Sequence, residues 1–170
     1  MSLIAREKEL AVLKSLVDSS VKGKGGLVFL RGEAGMGKTR LLSELRSYCD
    51  AAGIVFLQGR CYSASFPYSP WTEAINDYVR RTDAQTLSTL CQGAAVEIAS
   101  LIPSLMTIIG KSQRDMGLKN WIAGPRPSSR ELSVSASGTP VEETGRLALF
   151  EGVTQFFVNL SKKKPLVLVL

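Results

Sequence analysis

Histidine is absent from this chain of 170 residues. That absence excludes histidine-based catalytic triads, histidine general bases and histidine-ligated zinc within it. Cysteine is scarce. Cys49, Cys61 and Cys91 are odd in number and fall into neither a C-x-x-C nor a metal-ligand spacing, which excludes a disulfide framework and points to reduced thiols inside a cell. Long apolar runs are missing too. The opening Met1-Ser2-Leu3-Ile4-Ala5-Arg6-Glu7 holds no stretch that reads as a secretion signal, and no later run approaches a membrane span. These absences place the chain in the cytoplasm, away from membranes. Acidic residues are outnumbered, 15 against 21 basic, for a formal charge of +6, yet no basic run exceeds Lys162-Lys163-Lys164. The charge therefore suits a polyanionic small ligand better than direct nucleic-acid binding. Between Cys61 and Gly110 the only basic residues are Arg80 and Arg81, and no internal repeat is visible anywhere.

What is present is a globular balance, 45% apolar and 21% charged, enough for one ordinary domain with a buried core. Leu10, Leu13, Leu16 and Val17 fall near helical spacing and predict an amphipathic helix over about 6–17, ending before Lys22-Gly23-Lys24-Gly25-Gly26. Leu27-Val28-Phe29-Leu30 is short, wholly apolar and follows glycine, the pattern of a strand buried on both faces of a parallel sheet. Leu41, Leu42, Leu45, Tyr48 and Cys49 then make a helical stripe, with Gly53 where a C-terminal cap is wanted, before a second strand at Ile54–Leu57. Strand, glycine loop, helix and strand form a βαβ unit, which predicts an α/β fold with a parallel sheet. Pro67 and Pro70 open a helix over about 71–81, and shorter helices are expected near 84–91 and 94–101. Residues 110–140 are rich in Gly, Pro and Ser and read as a flexible insert. Beyond it, Leu147, Phe150, Val153, Phe157 and Leu160 give another helix, and Leu166–Leu170 reads as a third buried strand, with apolar surface or a sheet edge expected to be exposed there.

The motif that carries chemistry is Gly32-Glu33-Ala34-Gly35-Met36-Gly37-Lys38-Thr39, a G-x4-G-K-[S/T] phosphate-binding loop. A phosphate cradle needs several backbone N–H groups converging on one point, and the glycines permit the backbone conformations and close approach this requires. Lys38 is placed to reach the β- and γ-phosphates, Thr39 offers a hydroxyl to Mg²⁺, and the following helix directs the positive end of its dipole at the anion. A glycine turn with an accidental lysine would match this pattern in about one chain of this length in a few hundred. The apolar run before the loop and the amphipathic helix after it argue against that accident. Hydrolysis needs more: an acid at the end of a neighbouring strand and a group to position water. The strand where the acid belongs stops at Leu170. Glu33, Glu73 and Asp77 read as surface charges, and no catalytic base is assigned.

With these motifs in view, the sequence resembles the N-terminal part of an AAA-related, STAND-type signalling ATPase domain, akin to origin-recognition-complex-like ATPases. Leu3 to Leu10 is similar to that group's opening "GRE-x-EL" stretch with Ala5 in place of glycine, and Gly32 to Leu42 is similar to its "GEAGxGKTRLL" loop. Gly59-Arg60-Cys61-Tyr62 with Pro67 to Ala74 resembles its "GRCY…PY-x-PW-x-EA" segment, and Arg146–Glu151 with Pro165–Leu170 resembles the helix and strand before its "DDLHWAD" Walker B segment. The similarity covers about Leu3–Tyr78 and Gly145–Leu170, so the chain looks like a truncated piece of such a domain. The resemblance implies a P-loop three-layer αβα fold, incomplete at its C-terminus, that binds ATP with Mg²⁺ through residues 32–40, Arg40 included. It also implies base-side contacts from Ile4 and Arg6. The module would act as a nucleotide-operated switch for an absent effector, as in large LuxR-type transcription regulators and cyclase- or kinase-linked signalling proteins. A free-standing P-loop phosphotransferase or GTPase is the alternative, and the chain has no N-K-x-D-like guanine reader and no arginine-rich lid to support it.

Overall fold

The computed structural model describes residues 6–61, 68–92, 94–115 and 140–170, with helix backbone alone at 96, 111–115 and 140–144. The described residues hold seven helices and two strands: α1 (Glu7–Val21), α2 (Lys38–Ala51), β1 (Val55–Gln58), α3 (Ser69–Val79), α4 (Ala84–Leu90), α5 (Ala95–Leu101), α6 (Ser104–Asp115), α7 (Pro140–Lys163) and β2 (Leu166–Val169). They divide into two compact units, the first from residues 6–57 and 163–169, the second from the described residues of 58–162 with Leu170.

In the first unit, β1 and β2 pair as a small parallel sheet, entered through Val55 N–H donating to the Pro165 carbonyl at 2.9 Å. The periodicity of α1 turns Leu10, Leu13 and Val17 towards α2, where Leu45 and Cys49 meet them, and Ile54, Phe56, Val167 and Val169 complete this core. At its rim the Tyr48 hydroxyl donates to Asp18 at 2.6 Å, which raises the phenol above its ordinary pKa, and the Lys14 ammonium stands 4.9 Å from the Tyr48 ring centre. The C-terminus of α2 is closed by a Schellman motif: Ile54 N–H reaches the Cys49 carbonyl at 2.9 Å and Gly53 N–H reaches that of Asp50 at 3.2 Å. These bonds satisfy orphan carbonyls and turn the chain straight into β1.

The expected strand at Leu27–Leu30 does not form. The run has no regular secondary structure, with Leu27 80% and Phe29 77% exposed. A strand is stabilised by hydrogen-bonded neighbours, and β1 and β2 pair only with each other among the described residues. Apolar composition signals a preference for burial, but the pairing that achieves it is non-local. The parallel crossover therefore joins β1 to β2 through helices α3 to α7, not residues 27–30 to β1.

The second unit is helical. Three ring pairs set α3 along α7: Tyr68–Phe150, Trp71–Phe157 and Tyr78–Phe156, with centroids 5.7, 5.9 and 6.1 Å apart. Leu87 and Leu90 of α4, Ile98 of α5, and Leu105 and Ile109 of α6 are wholly buried with Phe156 and Leu160. Asn159 ties α7 to the end of α4 by donating to the Leu90 carbonyl at 2.9 Å, and Asp83 caps α4 by accepting from Thr86 N–H at 2.8 Å. The chain leaves β1 through Gly59, where an added Cβ would lie 1.9 Å from the Pro70 carbonyl oxygen. Helix α6 departs from the sequence expectation, in which residues 104–109 carry no assigned helix and Gly110–Asp115 belong to the flexible insert. Leu105 and Ile109 anchor the helix in the core, and the polar run after them is helical because the preceding turns have nucleated it. Of the expected insert, residues 116–139 lie outside the described residues.

Candidate functional site

The phosphate-binding loop lies in the first unit, at the head of α2. Residues 32–37 are all solvent-exposed, so a ligand reaches their backbone directly. Gly35 and Gly37 stand at φ +80° and +76°, left-handed conformations that cost an L-residue roughly 1–2 kcal/mol. Gly37 is the N-cap of α2 and carries no capping side chain. Leu41 N–H bonds to the Gly37 carbonyl at 3.0 Å, so by helix geometry the N–H groups of Lys38 and Thr39 have no acceptor within the helix. Left-handed glycines followed by unpaired helix-start donors form an anion-binding nest. The Met36 N–H closes the turn on the Glu33 carbonyl at 3.4 Å.

Lys38, the first residue of α2, folds over this loop. Its Nζ donates to the carbonyls of Gly32 and Glu33, both at 2.7 Å. An ammonium has three donors, so two fix the lysine against the loop while the third is available to an anion. Sequence reasoning gave Lys38 the phosphate role alone. The spacing contains no signal for its backbone partners, because they depend on the loop curling back. Thr39 is exposed one residue further on, and Arg40 pairs with Glu44 at 3.4 Å along the helix.

The other expected residues are dispersed. Arg6 is the N-cap of α1, where its carbonyl accepts Leu10 N–H at 3.1 Å, and no hydrogen bond or ion pair among the described residues joins its side chain to the loop. Ile4 lies outside the described residues. Glu73 is not an idle surface charge, since its carboxylate accepts the Arg60 backbone N–H at 2.7 Å and holds the turn after β1. Asp77 pairs with Arg81 one helical turn away. Among the described residues no group of three or more His, Cys, Asp or Glu could hold a metal ion. A Mg²⁺ carried by substrate phosphates needs few protein ligands, and the exposed Thr39 hydroxyl beside the nest fits that arrangement. No described helix is long and apolar enough to cross a membrane.

Residues 2–170 match the family model of the AAA ATPase domain. The chain belongs to this family. Membership implies a P-loop αβα architecture and a nucleotide-binding ATPase module, typically with Mg²⁺, and the small parallel sheet with its helices is consistent with that architecture. An uncharacterized protein, R02095 of Rhizobium meliloti (strain 1021), is 39% identical over 64 residues, which cover 38% of this chain and 6% of the relative. The chain thus matches only a small part of that relative's length. No solved structure matches.

Proposed function

We propose that this AAA ATPase domain is the ATP-binding switch module of a STAND-type signalling ATPase, whose nucleotide state sets the activity of an attached effector such as a transcription regulator, cyclase or kinase. The observation that carries the reading is the loop itself: two left-handed glycines, unpaired N–H groups at the head of α2 and Lys38 anchored above them, in a chain of this family. In this reading Gly32, Glu33, Ala34, Gly35, Met36 and Gly37 wrap the phosphates with their backbone, while Lys38 supplies charge to the β- and γ-phosphates. Thr39 contributes one Mg²⁺ ligand, Arg40 completes the turn, and Ile4 and Arg6 face the base. The bound Mg²⁺ would neutralise phosphate charge; no residue here is assigned as a catalytic base. The module works in the cytoplasm, without membrane or direct nucleic-acid contact.

A switch differs from a plain binding site in that ligand identity changes the protein beyond the contact residues. Amide hydrogen exchange with Mg²⁺·ATP, Mg²⁺·ADP and no nucleotide tests this. The expected result is protection of residues 32–41 with either nucleotide, and a difference between ATP and ADP that extends past α2. Identical exchange with ATP and ADP everywhere outside the loop would reduce the module to a passive nucleotide binder.

A further inference from the structure

The second unit carries a groove that nucleotide binding does not use. It lies between α5 and α7, has a volume of about 530 Å³, and is lined by Glu97, Leu147, Phe150, Glu151, Thr154 and Gln155 among others. Its existence depends on a close helix crossing. Gly152 is buried, and a Cβ added there would fall 2.4 Å from Glu97 Cβ, so the absence of a side chain lets α5 approach and seats Glu97 in the groove wall.

The lining combines exposed apolar surface with acidic charge. Leu147 is 62% and Phe150 45% exposed, although the same helix buries Val153, Phe156 and Leu160 on its core face. Glu97, half-buried, and Glu151 line the same groove, with no cationic side chain among the described lining residues. Neither carboxylate has an ion-pair or hydrogen-bond partner among the described residues. The described lining of the groove is therefore acidic, with its charge uncompensated. The charge is also a local inversion, since the whole chain is +6.

We propose that this groove is the docking site for a helical segment of a partner protein, one that presents apolar side chains at i and i+4 flanked by Lys or Arg. The apolar residues of such a helix cover Leu147 and Phe150, and its cations neutralise Glu97 and Glu151. This is helix-in-groove recognition with charge setting the choice of partner. The same carboxylates repel a phosphate backbone, which argues against nucleic acid as the occupant. The site is independent of the nucleotide loop.

The test uses the whole chain and a fluorescein-labelled amphipathic helical peptide with leucines at i and i+4 flanked by lysines, alongside its counterpart with glutamate at each lysine position. The lysine peptide is expected to bind and the glutamate peptide to bind at least about tenfold more weakly, with the difference shrinking as salt screens the charges. A photo-crosslinker in the lysine peptide should label α5 and residues 147–155. The double variant Glu97→Gln/Glu151→Gln should weaken the lysine peptide about tenfold. Glu151→Lys, at an exposed position and so harmless to folding, should move the preference towards the glutamate peptide. Equal binding of the two peptides, no binding of either, an unchanged preference in Glu151→Lys, or labelling elsewhere overturns the proposal. So does a dimer in light scattering whose intermolecular cross-links run through Leu147, because the occupant is then a second copy.

Discussion

Replacing Gly37 by alanine separates the loop geometry from every side-chain effect. Gly37 sits at φ +76°, ψ +19°, and a Cβ built on it meets nothing within 4 Å. No clash arises, so the penalty lies in the backbone alone. The left-handed conformation costs an L-residue roughly 1–2 kcal/mol. If the variant keeps the loop, that cost appears as lower stability, offset in part by the smaller conformational entropy of an unfolded chain with alanine, about 0.4–1 kcal/mol. If the loop instead relaxes to negative φ, its N–H groups turn away from the anion and the cost moves to binding, where 1–2 kcal/mol is a loss of about 5- to 30-fold. Thermal melts and Mg²⁺·ATP titrations, run together, capture both routes. Gly37→Asn should lose less, because asparagine tolerates the left-handed region. An alanine variant that melts above wild type while keeping an affinity within about twofold would refute the nest geometry, since the strain is at least as large as the entropic gain that opposes it.

Gly59→Ala places a Cβ 1.9 Å from the Pro70 carbonyl oxygen, an overpacking expected to cost about 2–3 kcal/mol and to lower the melting temperature by about 5–10 °C for a domain of this size. Phe156→Ala removes a fully buried ring flanked by Tyr78 and Phe157 and should cost about 3–5 kcal/mol, measurable by urea denaturation at unchanged m-value. Burial pushes the Cys49 and Cys91 thiols up to about 11, whereas Cys61 is exposed. A thiol reagent at neutral pH should therefore titrate one cysteine rapidly and two only on unfolding, three fast thiols being the contrary result. The sign of the linkage follows: both states keep these thiols protonated below pH about 9, and as the pH rises towards about 11 the unfolded state ionises first, so stability should fall across that alkaline range.

How far the sequence reveals the structure depends on how local each signal is. The helices α1, α2 and α7 and the strands at 55–58 and 166–169 were visible in apolar periodicity, because their burial pattern is set by the chain's own spacing. Gly53 was legible as a cap since a Schellman turn needs only neighbouring residues. Leu27–Leu30 was misread because the partner that makes a strand lies elsewhere in the chain, and composition does not report it. The loop residues are legible as a motif. The Lys38 bonds to Gly32 and Glu33, and the Glu73 bond to Arg60, were not, since each joins residues that only a folded turn brings together. The tolerance of Gly59 and Gly152 for their neighbours was equally hidden, being a matter of what packs across from them.

The most direct test of the account is equilibrium binding of a fluorescent ATP analogue with Mg²⁺, competed by ATP and by GTP, in this chain and in Lys38→Ala. Removing Lys38 deletes both loop anchors at 2.7 Å together with the charge on the phosphates. The account predicts saturable binding, competed better by ATP than by GTP, that weakens about a hundredfold in the variant, as expected when a charge-assisted contact of about 3 kcal/mol is lost. Binding of equal strength in wild type and Lys38→Ala, or no binding in either, would contradict it.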